Sequence, residues 1–329
     1  MSSACAGQMG AQLEGKMKLG LVGRAHGLEP VLVVRLDDGR LLDLGAADRR
    51  YNLGLNPPAS IKALAEGGKD ALARVRSIVE AVLAISAAGH EISVVTIPEA
   101  EAVFFPPVPN PSKFLAVGKN YRAHLSELQR NGLIKEIPNE PTGFIKLNAS
   151  LNGHGGMVRR PEGITTFDYE PELAFVIGTR ATGVKAENAL DHVLGITAFN
   201  DLTAREIQKR EVESGTRFWT AKNMPGFGPL GPYVVTLDEV EDLNELWLSC
   251  SVNGEQRLRF STCDQIFKIP QIIEHFSRYI PLEPGDVMAT GCQEGTAFGR
   301  PNAAELFLRP GDVVDVTLEG FMTLRTHVI

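Results

Sequence analysis

A chain of 329 residues with 43% hydrophobic and 22% charged residues has ordinary globular composition, and its length suits one large domain plus a small one. The formal charge is −7 with Lys and Arg dispersed, which argues against a nucleic-acid partner. No apolar run approaches the ~20 residues that span a bilayer, and Met1–Lys18 lacks the apolar stretch of a secretory signal, so a membrane role is not expected. Cys5, Cys250, Cys263 and Cys292 show no pairing or metal spacing. That usage points to a reducing, cytoplasmic setting.

Residues 1–16 read as a loose tail. Lys18–Val22, Pro30–Leu36 and Arg40–Leu44 are short apolar runs broken by Gly and Asp-Asp-Gly, the pattern of strands in a small β unit. Ser60–Ile85 places Ile61, Leu64, Leu72, Val75, Ile78, Val79 and Val82 at helical spacing and predicts two helices. The Pro106–Pro111 stretch then stops regular structure. It divides a small N-terminal domain, 17–105, from a main domain, 106–329.

From Lys113 short β-branched runs recur at Phe114–Val117, Leu173–Ile177, Val193–Ala198, Tyr233–Thr236, Trp247–Val252 and Val313–Leu318. Helices are predicted at Thr203–Val212 and Ile269–Tyr279. The fold class is α+β and β-rich, without the regular βα alternation of a Rossmann or TIM architecture.

Phe167–Ile177 reads Phe-Asp-Tyr-Glu-Pro-Glu-Leu-Ala-Phe-Val-Ile. On a strand, Glu170 and Glu172 share one face, joined by Asp168 if the strand begins that early, while Leu173, Phe175 and Ile177 point into a core. Two carboxylates this close repel each other unless a cation sits between them. A solvent-exposed acidic face is the alternative. Pro171, lacking an N–H, predicts an edge strand or a bulge. Downstream, an apolar strand ends in Asn200-Asp201 and runs into a helix, with Arg205 and Gln208 on the face nearest Asp201. Asp201 could instead cap that helix, which would leave Arg205 and Gln208 without a reason.

Gly118-Lys119-Asn120-Tyr121 followed by His124 and Glu127, the Asp168–Leu173 run and Asn200–Gln208 together resemble the fumarylacetoacetate hydrolase family. Its Gly-x-Asn-Tyr-x-x-His-x-x-Glu segment, acidic strand and Asn-Asp-x-Thr-Ala-Arg-x-x-Gln signature match in order. Lys222, Gly231-Pro232, Asn253-Gly254-Glu255, Pro284–Val287 and Thr290-Gly291 follow. The resemblance covers Lys113 to the C-terminus. It implies a catalytic domain of mixed β-sheets forming a β-roll, preceded by the small α/β domain of longer members, and a homodimer. It further implies Mg²⁺, with Mn²⁺ or Ca²⁺ as substitutes, on Glu170, Glu172 and Asp201. Arg205, Gln208 and Thr290 would bind a small anionic 2-oxo acid, with Lys222 as a catalytic oxyanion donor. Lys146 also matches a family position and reads as structural. At the last site many relatives carry Thr-Gly-Thr-Pro-x-Gly where this chain has Thr290-Gly291-Cys292-Gln293-Glu294-Gly295, and Cys292 reads as a small packing residue.

A metal that polarises a 2-oxo acid stabilises its enolate, which serves several reactions. The leading expectation is hydrolysis of a C–C bond in an acylpyruvate-like 1,3-diketo acid. There, His124, oriented by Glu127 three residues on, would deprotonate water. The alternative is decarboxylation or isomerisation of a 2-oxo acid, of oxaloacetate or 2-hydroxy-dienedioate type.

Overall fold

The computed structural model describes residues 17–24, 27–123 and 138–329. A mixed sheet of eleven strands carries the fold. Across it lie Thr96–Pro98, Arg40–Asp43, Gly27–Arg35, Lys18–Arg24, Tyr233–Thr236, Val193–Asn200, Pro171–Ile177, Val287–Ala289, Phe114–Gly118 and Thr142–Ile145, with Ala102–Phe104 pairing separately on Lys18–Arg24. The neighbours are antiparallel except Phe114–Gly118 beside Val287–Ala289. A second sheet orders Glu255–Ser261, Trp247–Val252, Val313–Leu318, Met322–Val328 and Gly156–Val158. Neither closes into a barrel among the described residues.

Burial explains the layering. In Val313–Leu318, Val314, Val316 and Leu318 are buried and the residues between them are half-exposed, as in a sheet with one wet face. Pro171–Ile177 is buried at every position. Its Leu173, Phe175 and Ile177 enter a core shared with Leu248, Val316 and Leu324 of the second sheet. Ala174 and Val176 enter another, shared with Ile61, Leu64, Val75, Ile78 and Val82. Those last residues lie on the helix Ile61–Ala87, capped by the Ser60 hydroxyl on the Ala63 N–H and broken at Gly68, where φ is 58°. The break yields the two helical pieces that the spacing predicts. The large sheet is therefore sandwiched between helices and the smaller sheet.

Pro171 departs from expectation. Its strand is interior, flanked by Val193–Asn200 and Val287–Ala289. The missing N–H is tolerated because Pro171 is the first residue of the strand, and pairing to Val287–Ala289 begins only at Ala174. The helices run over Arg205–Glu213 and Ile269–Ser277, close to their predicted spans.

The large sheet runs through the division expected near residue 105. Lys18, Leu19 and Gly20 pair with Val235, Val234 and Tyr233, and Leu19 shares a core with Phe114, Phe199 and Val234. Among the described residues no helix is long and apolar enough to cross a membrane, and Cys250, Cys263 and Cys292 are free thiols.

A sheet and core held in common should unfold together. Leu19→Ala is expected to remove about 2–5 kcal/mol from a single calorimetric transition. Two resolved transitions, only one of them shifted, would contradict the shared core.

Candidate active site

Two acidic segments are fastened side by side by their backbones. The Asp201 N–H donates to the Glu170 carbonyl at 2.9 Å, and the Glu170 N–H donates to Asn200 Oδ1 at 3.0 Å. A further short pairing joins Phe167–Asp168 to Thr203–Ala204. Asp168, Glu170, Glu172 and Asp201 therefore meet at one end of the Pro171–Ile177 strand. Asp168 and Asp201 are fully buried and Glu172 is 3% exposed, which removes the reading of a solvated acidic face.

Charge is met by charge. Lys222 Nζ binds Glu170 Oε2, Asp201 Oδ2 at 2.5 Å and Thr203 Oγ1 at 2.8 Å. Lys146, also buried, donates to Asp201 Oδ1 at 2.8 Å, to the Lys222 carbonyl and to the Phe227 carbonyl at 3.3 Å. Arg205 Nη2 reaches Asp168 Oδ2 at 2.8 Å and Glu170 Oε1 at 2.6 Å. Arg205 thus meets Asp168 and Glu170, while Asp201 belongs to the two lysines. Asp201 does not cap the following helix: the position before Arg205 is Ala204, with no side-chain cap.

The carboxylates are not equivalent. Burial acts to raise Glu170, but Arg205 and Lys222 outweigh it and hold the group at about 2. Glu172 lacks such a cation. Burial and the neighbouring Asp201 and Glu170 charges push it well above the usual carboxylate range, against Lys222 and the Gly291 N–H, which donates to Glu172 Oε2 at 2.8 Å. Burial opposes the charge on Lys222, yet Asp201 and Glu170 raise it to about 12.

Glu170, Glu172 and Asp201 offer the hard oxygen donors that Mg²⁺ takes. They do not stand as a ready cage: among the described residues no three His, Cys, Asp or Glu side chains converge at ligand distance. Instead the Lys222 ammonium holds positive charge between Glu170 and Asp201. The donor set fits a divalent ion that takes over part of that role, with Lys222 giving way.

Other expected residues fall around this cluster. Gln208 is half-buried and accepts from Arg205 Nη1 at 3.0 Å. Thr290 is fully buried, with its hydroxyl donating to the Leu173 carbonyl at 2.9 Å. That proton is already committed, so a substrate contact there would need the bond to be given up. Cys292 is half-buried, and burial with the Glu170 and Glu172 charges pushes its thiol up, away from a reactive thiolate. His124 and Glu127 lie outside the described residues.

Lys146, read as structural from the sequence, stands on one of the expected metal ligands. Gln265 carried no signal. Its amide donates to Tyr121 OH and Thr290 Oγ1, both at 3.0 Å. Asn120 binds the Thr290 carbonyl at 2.9 Å and accepts the Phe267 N–H at 2.8 Å. Together they fix the turn that presents the Gly291 N–H to Glu172. Gly291 has φ +92°, and a Cβ there would lie 3.0 Å from the Val117 carbonyl oxygen, so a side chain is excluded.

Comparison with known proteins places this geometry. The family profile described as fumarylacetoacetate (FAA) hydrolase C-terminal matches residues 113–329. Oxaloacetate tautomerase YisK of Bacillus subtilis (strain 168) is 36% identical over 296 residues, covering 89% of this chain and 94% of that protein. The mitochondrial oxaloacetate tautomerase fahd2 of Xenopus laevis is 32% identical over 294 residues, covering 89% and 84%. The solved fumarylacetoacetate hydrolase of Exiguobacterium antarcticum superposes with TM-score 0.71 at 28% identity, covering 95% of this chain and 99% of that one.

Lys146 has three acceptors and no exposure, so its loss should be felt in stability. Lys146→Met is expected to cost roughly 3–5 kcal/mol in urea unfolding, the scale for removing one partner of a buried ion pair. A loss below about 1 kcal/mol, the range of a surface pair, would show that the ammonium is not needed to balance Asp201.

Proposed function

The chain belongs to the fumarylacetoacetate hydrolase family, and we propose that within it this protein interconverts the keto and enol forms of a small 2-oxo diacid of oxaloacetate type. The observation that carries this reading is the buried cluster of Glu170, Glu172 and Asp201 faced by Lys222, in a chain similar along 89% of its length to two oxaloacetate tautomerases. A divalent ion on those carboxylates, Mg²⁺ by preference, would supply Lewis-acid stabilisation of the enolate oxygen.

The chain's own groups do the rest. Tautomerisation moves one proton from carbon to oxygen and breaks no carbon–carbon bond, so it needs a positioned donor and acceptor but no attacking water. Lys222, held protonated by Glu170 and Asp201, brings positive charge to where the enolate oxygen develops. Its ammonium lies 5.3 Å and 5.7 Å from the ring centres of Phe144 and Phe218. These rings limit water around it and so strengthen its field.

Hydrolysis of an acylpyruvate, the leading expectation from sequence, additionally needs an activated water. That role fell to His124 and Glu127. The tautomerase relatives favour the non-hydrolytic alternative, in which oxaloacetate or a 2-hydroxy-dienedioate is rearranged rather than cleaved.

The test is relaxation of the keto–enol ratio of oxaloacetate, followed by NMR, with Mg²⁺ and with chelator. The expected result is enzyme-dependent relaxation that chelator abolishes, with no pyruvate formed. Lys222→Met should slow it by ~10²-fold or more per folded molecule, as for loss of one preorganised oxyanion donor. Cleavage of an acylpyruvate to pyruvate, with oxaloacetate relaxing at the buffer rate, would return the function to hydrolysis.

A further inference from the structure

Asp168 lies beside the cluster but has no room for a metal. Its Oδ1 accepts the Tyr169 and Ala297 N–H groups, each at 3.0 Å. Its Oδ2 accepts Arg205 Nε at 2.9 Å and Nη2 at 2.8 Å, and the Phe298 N–H at 3.1 Å. The carboxylate is fully buried, and these donors occupy the lone pairs of both oxygens.

Arg205 is correspondingly committed. Beyond Asp168 it reaches Glu170, Thr296 Oγ1 at 3.3 Å and Gln208 Oε1 at 3.0 Å. The Phe298 ring, its centre 5.2 Å from the guanidinium carbon, lies over Arg205. A guanidinium donates and never accepts. A Gln208 amide beside it must therefore turn its oxygen inward, which leaves the Nε2 hydrogens on the side away from Arg205. Asp168, Arg205 and Gln208 form a relay in which the polarity of the last group is set by the first.

We propose that Asp168 is a positioning residue: by locking Arg205 it fixes the Gln208 amide with its N–H groups outward, and Gln208, not Arg205, donates to the anionic substrate. This rests on the function proposed above and names the donor that the 2-oxo acid meets. A 2-oxo acid presents adjacent carboxylate and carbonyl oxygens, which accept hydrogen bonds only. A fixed amide donor suits them, whereas a freely turning amide would offer its oxygen in part of its population.

Oxalate, a dicarboxylate with adjacent acceptor oxygens, is the probe, titrated into the full-length protein with Mg²⁺. Asp168→Asn is expected to weaken oxalate about tenfold, the scale of losing one hydrogen bond to a charged group. Gln208→Ala should do the same, and the double variant should be no worse than Gln208→Ala alone. A purely structural Asp168 would lower the folded fraction and melting temperature without changing oxalate affinity in the molecules that remain folded. Additive losses in the double variant would overturn the relay.

A second arm needs no change at Asp168, in case Asp168→Asn does not fold. In ¹⁵N-labelled wild type, oxalate should shift the Gln208 side-chain amide signal, identified by its loss in Gln208→Ala, and leave the Arg205 Nε–H signal in place. A shift at Arg205 with none at Gln208 would show the guanidinium leaving Asp168 to bind the anion, and the inference would fall. If the wild type does not bind oxalate at all, the 2-oxo acid reading falls and takes this inference with it. If oxalate binds but the relay test fails, the function stands and only the inference is lost.

Discussion

Four carboxylates brought together away from water cannot remain so without compensation, and the architecture around them follows from that constraint. Asp201 is the pivot. One of its oxygens is held by Lys146 and the other by Lys222. Lys146 also binds the Lys222 backbone, so the two cations on Asp201 are tied to each other as well as to it. Arg205 supplies the third cation, on Asp168 and Glu170. Four negative groups thus face three positive ones, which leaves the centre short of positive charge. A divalent cation answers that shortage, and it gives a reason for buried carboxylates whose desolvation would otherwise be a poor exchange for stability.

The sheet makes this placement possible. Pro171–Ile177 is covered on both faces, so its leading end delivers Glu170 and Glu172 into a protein-lined space rather than onto a surface. The strand beside it ends at Asn200, and the register Pro171 to Asn200 puts Asp201 next to Glu170. Val287–Ala289 on the other side leads into the Gly291 N–H that binds Glu172. Neighbouring strands thus carry the acidic cluster and its supports. The 17–105 segment lengthens the same sheet and shares its core, so it buttresses the strands that hold the cluster without contributing a side chain to the contacts within it.

Much of this was legible in the sequence because it is periodic or local. Strand runs such as Val313–Leu318 alternate, and the helix Ile61–Ala87 repeats at helical spacing with its break at a glycine. Glu170, Glu172 and Asp201 were found through strand alternation and a family signature. The harder parts are non-local. Lys146 meets Asp201 across 55 positions and Gln265 meets Tyr121 across 144, and no spacing rule connects such pairs. Pro171 was misjudged because a missing N–H excludes only the middle of a paired strand, and sequence does not say where pairing to each neighbour begins. Asp168 looked like one more acid on a face. The chain turns between the Phe167–Asp168 and Pro171–Ile177 strands, and that turn sends its carboxylate to Arg205.

The account depends on the cluster being a cation site in which Lys222 holds a place. Calorimetric titration of Mg²⁺ into the wild-type protein and into Asp201→Asn tests this most directly. The account predicts one Mg²⁺ per chain in the wild type and an affinity at least about tenfold weaker in Asp201→Asn, as expected when a charged oxygen donor is replaced by a neutral one. Equal affinity in the two proteins, or no binding in the wild type, would contradict it.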